Sequence, residues 1–88
     1  MRIKVRVYAF LRKKLGWDEK VIELDDDDAR LGDVISSIPM LNEVITSDDN
    51  LKDYMVLVNG INALMLNGLG TKIKDGDEID VFPPAAGG

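Results

Sequence analysis

The chain contains no cysteine and no histidine. Those two absences exclude disulfides, thiolate nucleophiles, imidazole general bases and the commonest zinc ligands together. Aromatic residues are scarce, with two Phe, two Tyr and one Trp, and no apolar run approaches the ~20 residues a membrane-spanning helix requires. The N-terminal MRIKVRVYAF interleaves Arg and Lys with its apolar residues where a secretory signal would hold an unbroken apolar stretch, so a cytoplasmic location is expected. Basic residues are outnumbered 11 to 16, for a net charge of −5. That balance argues against nucleic acid, whose affinity comes largely from Lys and Arg neutralising phosphates. A protein partner fits better.

What is present is the composition of a globular chain, 45% hydrophobic and 31% charged over 88 residues. One small domain of that size buries roughly 60–65% of its unfolded surface and has little room for an enclosed active site.

Ile3, Val5, Val7 and Ala9 alternate with Lys4, Arg6 and Tyr8, the period-two pattern of a strand with one wet face. Phe10 to Leu15 predicts one helical turn stopped by Gly16, and Glu19 to Leu24 a second strand antiparallel to the first. After the acidic run Asp25–Asp28, the spacing of Leu31, Val34, Ile35 and Ile38 predicts a helix with Asp28 as its N-cap and Pro39 ending it at Ile38. Leu41, Val44 and Ile45 repeat the spacing in a second short helix or a continuation after a kink. Further strands are expected from Tyr54 to Val58, closed by Asn59-Gly60, around Ala63 to Leu66, and from Glu78 to Phe82. The order predicts an α+β domain, residues 1–82, with one main helix across a mixed sheet.

The chain then leaves the sheet through Pro83, Pro84, Ala85, Ala86, Gly87 and Gly88. Two prolines stiffen the exit, and at ~3.1 Å per residue the six span up to roughly 19 Å. Beyond the prolines every side chain is a methyl or absent, which suits threading into a narrow protein channel. The alternative is a frayed chain end.

Other clusters have plainer readings. The run Asp25–Asp28 lacks the glycine and glutamate of a calcium loop, holding Arg30 and Ser36 at those positions, and reads as a solvated approach to the helix. Asp75, Asp77, Glu78 and Asp80 read as a turn and the wet face of a strand. Met40, Met55 and Met65 are expected to fill the core. Ile61, Leu64, Leu66 and Leu69 exceed what a small sheet buries, leaving open an exposed patch for a partner. Lys13, Lys14, Lys72 and Lys74 read as solubilising, with a modest basic patch as the alternative.

The stretches IKVRVYAFLRKKLG, LGDVISSI, VLVNG and above all KDGDEIDVFPPAAGG from Lys74 to Gly88 resemble the ubiquitin-like sulfur carriers, and within them the small subunit of molybdopterin synthase. The resemblance covers nearly the whole chain and implies the β-grasp fold. It also implies the chemistry. An adenylating enzyme of the ubiquitin-activating type would use ATP and Mg²⁺ to activate the carboxylate of Gly88, and a sulfur donor enzyme would convert it to a thiocarboxylate. The tail, with Phe82, Pro83, Pro84, Ala85, Ala86 and Gly87 docked, would then enter the large subunit of molybdopterin synthase and give sulfur to cyclic pyranopterin monophosphate for the molybdenum or tungsten cofactor. The resemblance implies a carrier that binds no cofactor or metal itself and is not catalytic alone. Alternatives within it are a modifier conjugated to proteins through Gly88 and a carrier for thiamine thiazole or tRNA thiolation. The segment 60–73 is longer and more apolar than in bacterial members of the family.

Overall fold

The computed structural model describes residues 1–46 and 53–84. Strand β1 (Arg2–Val7) turns Ile3, Val5 and Val7 inward and leaves Arg2, Lys4 and Arg6 on the other face, as its alternation requires. Helix α1 (Phe10–Leu15) buries Leu11 and stops at Gly16, whose left-handed φ of 87° lets its N–H reach the Arg12 carbonyl at 2.9 Å. Strand β2 (Glu19–Glu23) runs back antiparallel to β1 with Ile22 opposite Ile3. The expected hairpin is present, with α1 as its connection.

Helices α2 (Leu31–Ser36) and α3 (Pro39–Thr46) follow. Leu31, Val34, Ile35 and Ile38 from the first stretch and Leu41, Val44 and Ile45 from the second enter the core. Two boundaries correct the sequence expectation. Asp28 is not the N-cap of α2; Arg30 is, and its backbone N–H donates to the Asp33 carboxylate at 2.8 Å, the backward half of a capping box. Asp28 instead donates its N–H to Asp26 Oδ1 at 2.8 Å within the preceding turn. Nor does the helix run to Ile38. It ends at Ser36, and Pro39 opens α3, in the first turn, where a missing N–H leaves no intrahelical bond unmade.

Strand β3 (Met55–Val58) meets the two-residue β4 (Ile61–Asn62) through Asn59-Gly60, both at positive φ, the conformation that makes this dipeptide a hairpin turn. The strand expected over Ala63–Leu66 does not form. The Asn62 side chain accepts the Leu64 N–H at 2.9 Å and turns Ala63–Met65 into a 3₁₀ helix. A second 3₁₀ turn, Gly68–Gly70, packs on α2 at Gly32, where an added Cβ would stand 3.3 Å from the Leu69 carbonyl oxygen.

The last strand, β5 (Glu78–Phe82), lies between β1, to which it is parallel, and β3, to which it is antiparallel. The sheet order is β2-β1-β5-β3-β4. A mixed five-stranded sheet with helices across one face is the β-grasp arrangement, with α2 and α3 sharing the place expected for a single main helix. Its inner face, Ile3, Val5, Val7, Ile22, Val56, Val58, Ile79 and Val81, joins the helical residues in one cluster. Each fully buried aliphatic side chain there contributes about 1.5–3 kcal/mol.

The three methionines expected in the core do not fill it. Met40, Met55 and Met65 are 47%, 42% and 81% exposed, because Leu, Ile and Val already occupy the interior and strand parity puts Met55 on the outer face. Ile61, Leu64 and Leu66 are also exposed, while Leu69 packs against the core. No helix among the described residues is long and apolar enough to cross a membrane.

Candidate functional site

Strand β5 aims the chain end. Its inward residues Ile79 and Val81 are buried, so Glu78, Asp80 and Phe82 share the outer face with Lys4 and Arg6 of β1 and Met55 and Leu57 of β3. The pairing Met55↔Phe82 and the Tyr8 N–H to Val81 carbonyl bond at 3.2 Å bring Tyr8, Phe82 and Met55 into one row across the sheet at the point where the strand ends.

Within that row Tyr8 and Phe82 stack with ring centres 4.1 Å apart and planes inclined by 25°. Tyr8 is also held at its other end, where the hydroxyl donates to Asp80 Oδ1 at 2.6 Å. That bond, reinforced by burial and the Asp80 charge, pushes the Tyr8 phenol above its ordinary value. Arg6 stands behind the pair. Its guanidinium bonds Glu19 at 3.1 Å and Glu78 at 2.8 Å and lies 3.6 Å from Asp80, tying β2, β1 and β5 together on the wet face. The hydrogen bonds that Arg6 donates to Glu19 and Glu78 raise its pKa above the ordinary value. As the Arg6 side chain and its acidic partners are only partly buried, the network orients side chains more than it stabilises the fold.

Of the residues singled out for the tail, Phe82 closes β5 half-buried, Pro83 is half-buried and Pro84 is exposed. Ala85, Ala86, Gly87 and Gly88 lie outside the described residues. The acidic group at the other end of β5 serves the turn. Asp75 accepts the Arg2 N–H at 2.7 Å, and Asp77 accepts from the Lys74 N–H and the Asn59 side chain at 2.8 and 2.9 Å. Among the described residues no buried side-chain polar atom lacks a hydrogen-bond partner.

The sequence reading named Phe82 but missed Tyr8, Arg6 and Asp80 as the frame around it. The wet-face alternation of β1 and β5 was visible. That the two strands are parallel neighbours, with Arg6 beside Asp80, was not.

Comparison with known proteins agrees with the geometry. A sequence model of the ThiS family matches residues 5–88. Small archaeal modifier protein 3 of Haloferax volcanii is 36% identical over 93 residues, covering all of both chains. The crystal structure of SAMP1 from Haloferax volcanii superposes with a TM-score of 0.81 at 29% identity, again over the full length of both chains. A Pyrococcus furiosus protein provisionally named molybdopterin converting factor subunit 1 superposes with a TM-score of 0.73 at 32% identity, covering 97% of this chain and 99% of that one. On the fold, the family match and the full-length relative, this chain belongs to the ThiS family of small ubiquitin-like sulfur carriers and modifiers.

Proposed function

We propose that the chain works through the carboxylate of Gly88, activated by a partner enzyme as an acyl adenylate and then transferred as an acyl group or as bound sulfur. The observation that carries this reading is the continuity of β5 with the tail. A central strand, clamped at Tyr8 and Phe82, leads into Pro83 and Pro84, the small residues up to Gly88 follow in sequence, and the family match extends to that glycine.

The chain supplies a handle and a surface, and the activating enzyme supplies the chemistry. A carboxylate is a poor electrophile. One of its oxygens attacks the α-phosphorus of ATP, pyrophosphate leaves, and the acyl carbon becomes part of a mixed anhydride, with Mg²⁺ offsetting charge on the phosphates. In the modifier reading, a lysine amine attacks that carbon, AMP leaves, and an isopeptide bond joins Gly88 to the target. The 36% identity to a small archaeal modifier protein favours this route. In the carrier reading, a persulfide sulfur displaces AMP, and cleavage of its S–S bond by a thiol leaves a thiocarboxylate on Gly88. Delivery of that sulfur to a pterin through the large subunit of molybdopterin synthase is the second reading, supported by the Pyrococcus furiosus neighbour. Both routes share the adenylate, so one chain can serve both.

The test is intact-mass spectrometry after incubation with the adenylating enzyme from the same cell, ATP, Mg²⁺ and a persulfide donor, beside a variant lacking Gly87 and Gly88. The expected product carries one sulfur in place of one oxygen and is absent from the variant. Immunoblots of cells expressing the two chains then separate the routes, since thiol-resistant conjugates that need Gly88 identify the modifier. No adenylate and no thiocarboxylate with an enzyme active on another carrier would overturn the proposal.

A further inference from the structure

Arg12, Lys13 and Lys14 are consecutive on α1 and all exposed. Among the described residues the ion pairs occupy Arg2, Arg6 and Lys72, and none of the three α1 cations takes part in one. Lys20 of β2 adds a fourth cation on a different element, its ammonium 5.6 Å from the centre of the Trp17 ring. Phe10, half-exposed at the start of the helix, gives the group an apolar edge. Two acidic residues, Asp18 and Glu19, interrupt it in sequence, but Glu19 is already bonded to Arg6. This concentration of positive charge runs against a net charge of −5.

Its position is informative. Helix α1 begins just past Tyr8, the residue that stacks on Phe82 and bonds the Val81 carbonyl, so the basic group flanks the tail root on the β1 side. Among the described residues, the opposite flank, before β3, carries Asp53. The helix dipole favours positive charge in the last turn of α1. It does not account for a fourth cation beside Trp17 on a separate strand, nor for the whole group standing on one side of the tail.

We propose that Arg12, Lys13, Lys14 and Lys20, with Phe10 at their edge, form a docking surface for an acidic protein surface bordering the channel that receives the tail on the activating enzyme. The inference rests on the reading of Gly88 given above. The physical reason is charge complementarity. A carrier of net negative charge has to bring a carboxylate to a site that holds a triphosphate, and both oppose the approach. Attraction between the α1 group and an acidic rim offsets that opposition and speeds encounter. With Asp53 on the other flank the attraction is one-sided, which sets the rotation of the domain about its tail.

Such a surface acts on encounter and leaves the chemical step alone, so the test separates KM from kcat. The variant is Lys13→Glu with Lys14→Glu in the full chain, read by ATP–pyrophosphate exchange with the cognate adenylating enzyme, with Lys13→Arg and Lys14→Arg as the charge-conserving control. At low salt the reversal is expected to lower kcat/KM about tenfold or more through KM, with kcat at saturation nearly unchanged. The difference shrinks as added salt shortens the screening length, and the arginine control behaves as wild type. Unchanged kcat/KM in the reversed variant, while the wild type turns over, would overturn the docking surface and leave the Gly88 reading standing. So would a loss of gel-shifted tRNA without a change in kcat/KM, which would make the patch an RNA site. A wild-type chain that is never adenylated would instead sink the Gly88 reading and the docking surface with it.

Discussion

The two faces of the central strands differ in composition and in what they do. On the inner face, Ile3, Val5, Val7, Ile79 and Val81 are all 1% exposed or less. One residue away in sequence, the outer face carries Lys4 and also Arg6, Tyr8, Glu78, Asp80 and Phe82, the last five joined by ion pairs, one hydroxyl bond and one aromatic stack. The inner face holds the domain together through area removed from water. The outer face contributes little to stability and defines the surface from which the tail leaves. A strand that alternates in this way can change what it presents without changing its fold.

The largest expected effect lies inside. Ile79→Ala removes a side chain from the middle of the sheet and is expected to cost about 2–5 kcal/mol in urea unfolding, with an unchanged slope. A loss well under 1 kcal/mol would mean that the interior collapses around the gap, and would weaken the division between the faces. A smaller effect is expected outside. In a double-mutant cycle of Tyr8→Ala and Phe82→Ala, the coupling between the rings should be about 0.5–1.5 kcal/mol. A coupling near zero would show that the stack is geometry without energy.

The smallest effect is in the alkaline limb of stability. The Tyr8 phenol is raised in the folded state, first by its bond to Asp80. A group raised on folding adds stability that is fully present below its unfolded value, about 10 for tyrosine, and that is lost as pH rises through the folded one. Tyr8→Phe should therefore flatten the fall in stability above that pH. Tyr54, raised by burial, contributes with the same sign in both proteins. Identical alkaline profiles would show that the Asp80 bond does not survive in solution.

The legible parts of the fold were those in which neighbours in sequence decide the outcome. The alternation of Ile3, Val5 and Val7 in β1, the core-facing positions from Leu31 to Ile45, the Asn59-Gly60 turn and the last strand through Phe82 all formed, whereas Ala9, read as the next inward residue of β1, lies past its end, exposed at a φ of 55°. The misreadings came from local chemistry that competes with pattern. Ala63–Met65 has the apolar content of a strand, yet the Asn62 side chain captures the Leu64 N–H and closes a 3₁₀ turn. Asp28 has the right side chain for an N-cap, but Arg30, two residues on, makes an antiparallel bridge to Lys72 and so sets where α2 starts. Met55 and Met65 look like core residues by type and are exposed by position, one through strand parity and the other through its place on that turn.

The sequence by itself determined the class of fold and which side-chain chemistries are excluded. Its period-two and helical patterns, the missing Cys and His, and a chain end of Pro-Pro-Ala-Ala-Gly-Gly are local or compositional facts, and they do not depend on how the strands are ordered. Only the tertiary structure decided that β5 enters the sheet between β1 and β3. The residues it joins to β1 lie more than seventy positions apart, as in the Tyr8 hydroxyl bond to Asp80, and no local preference encodes which strand edge a late segment will fill. That single pairing sets Tyr8 against Phe82, puts α1 beside the root of the tail, and so selects which charges a partner meets first.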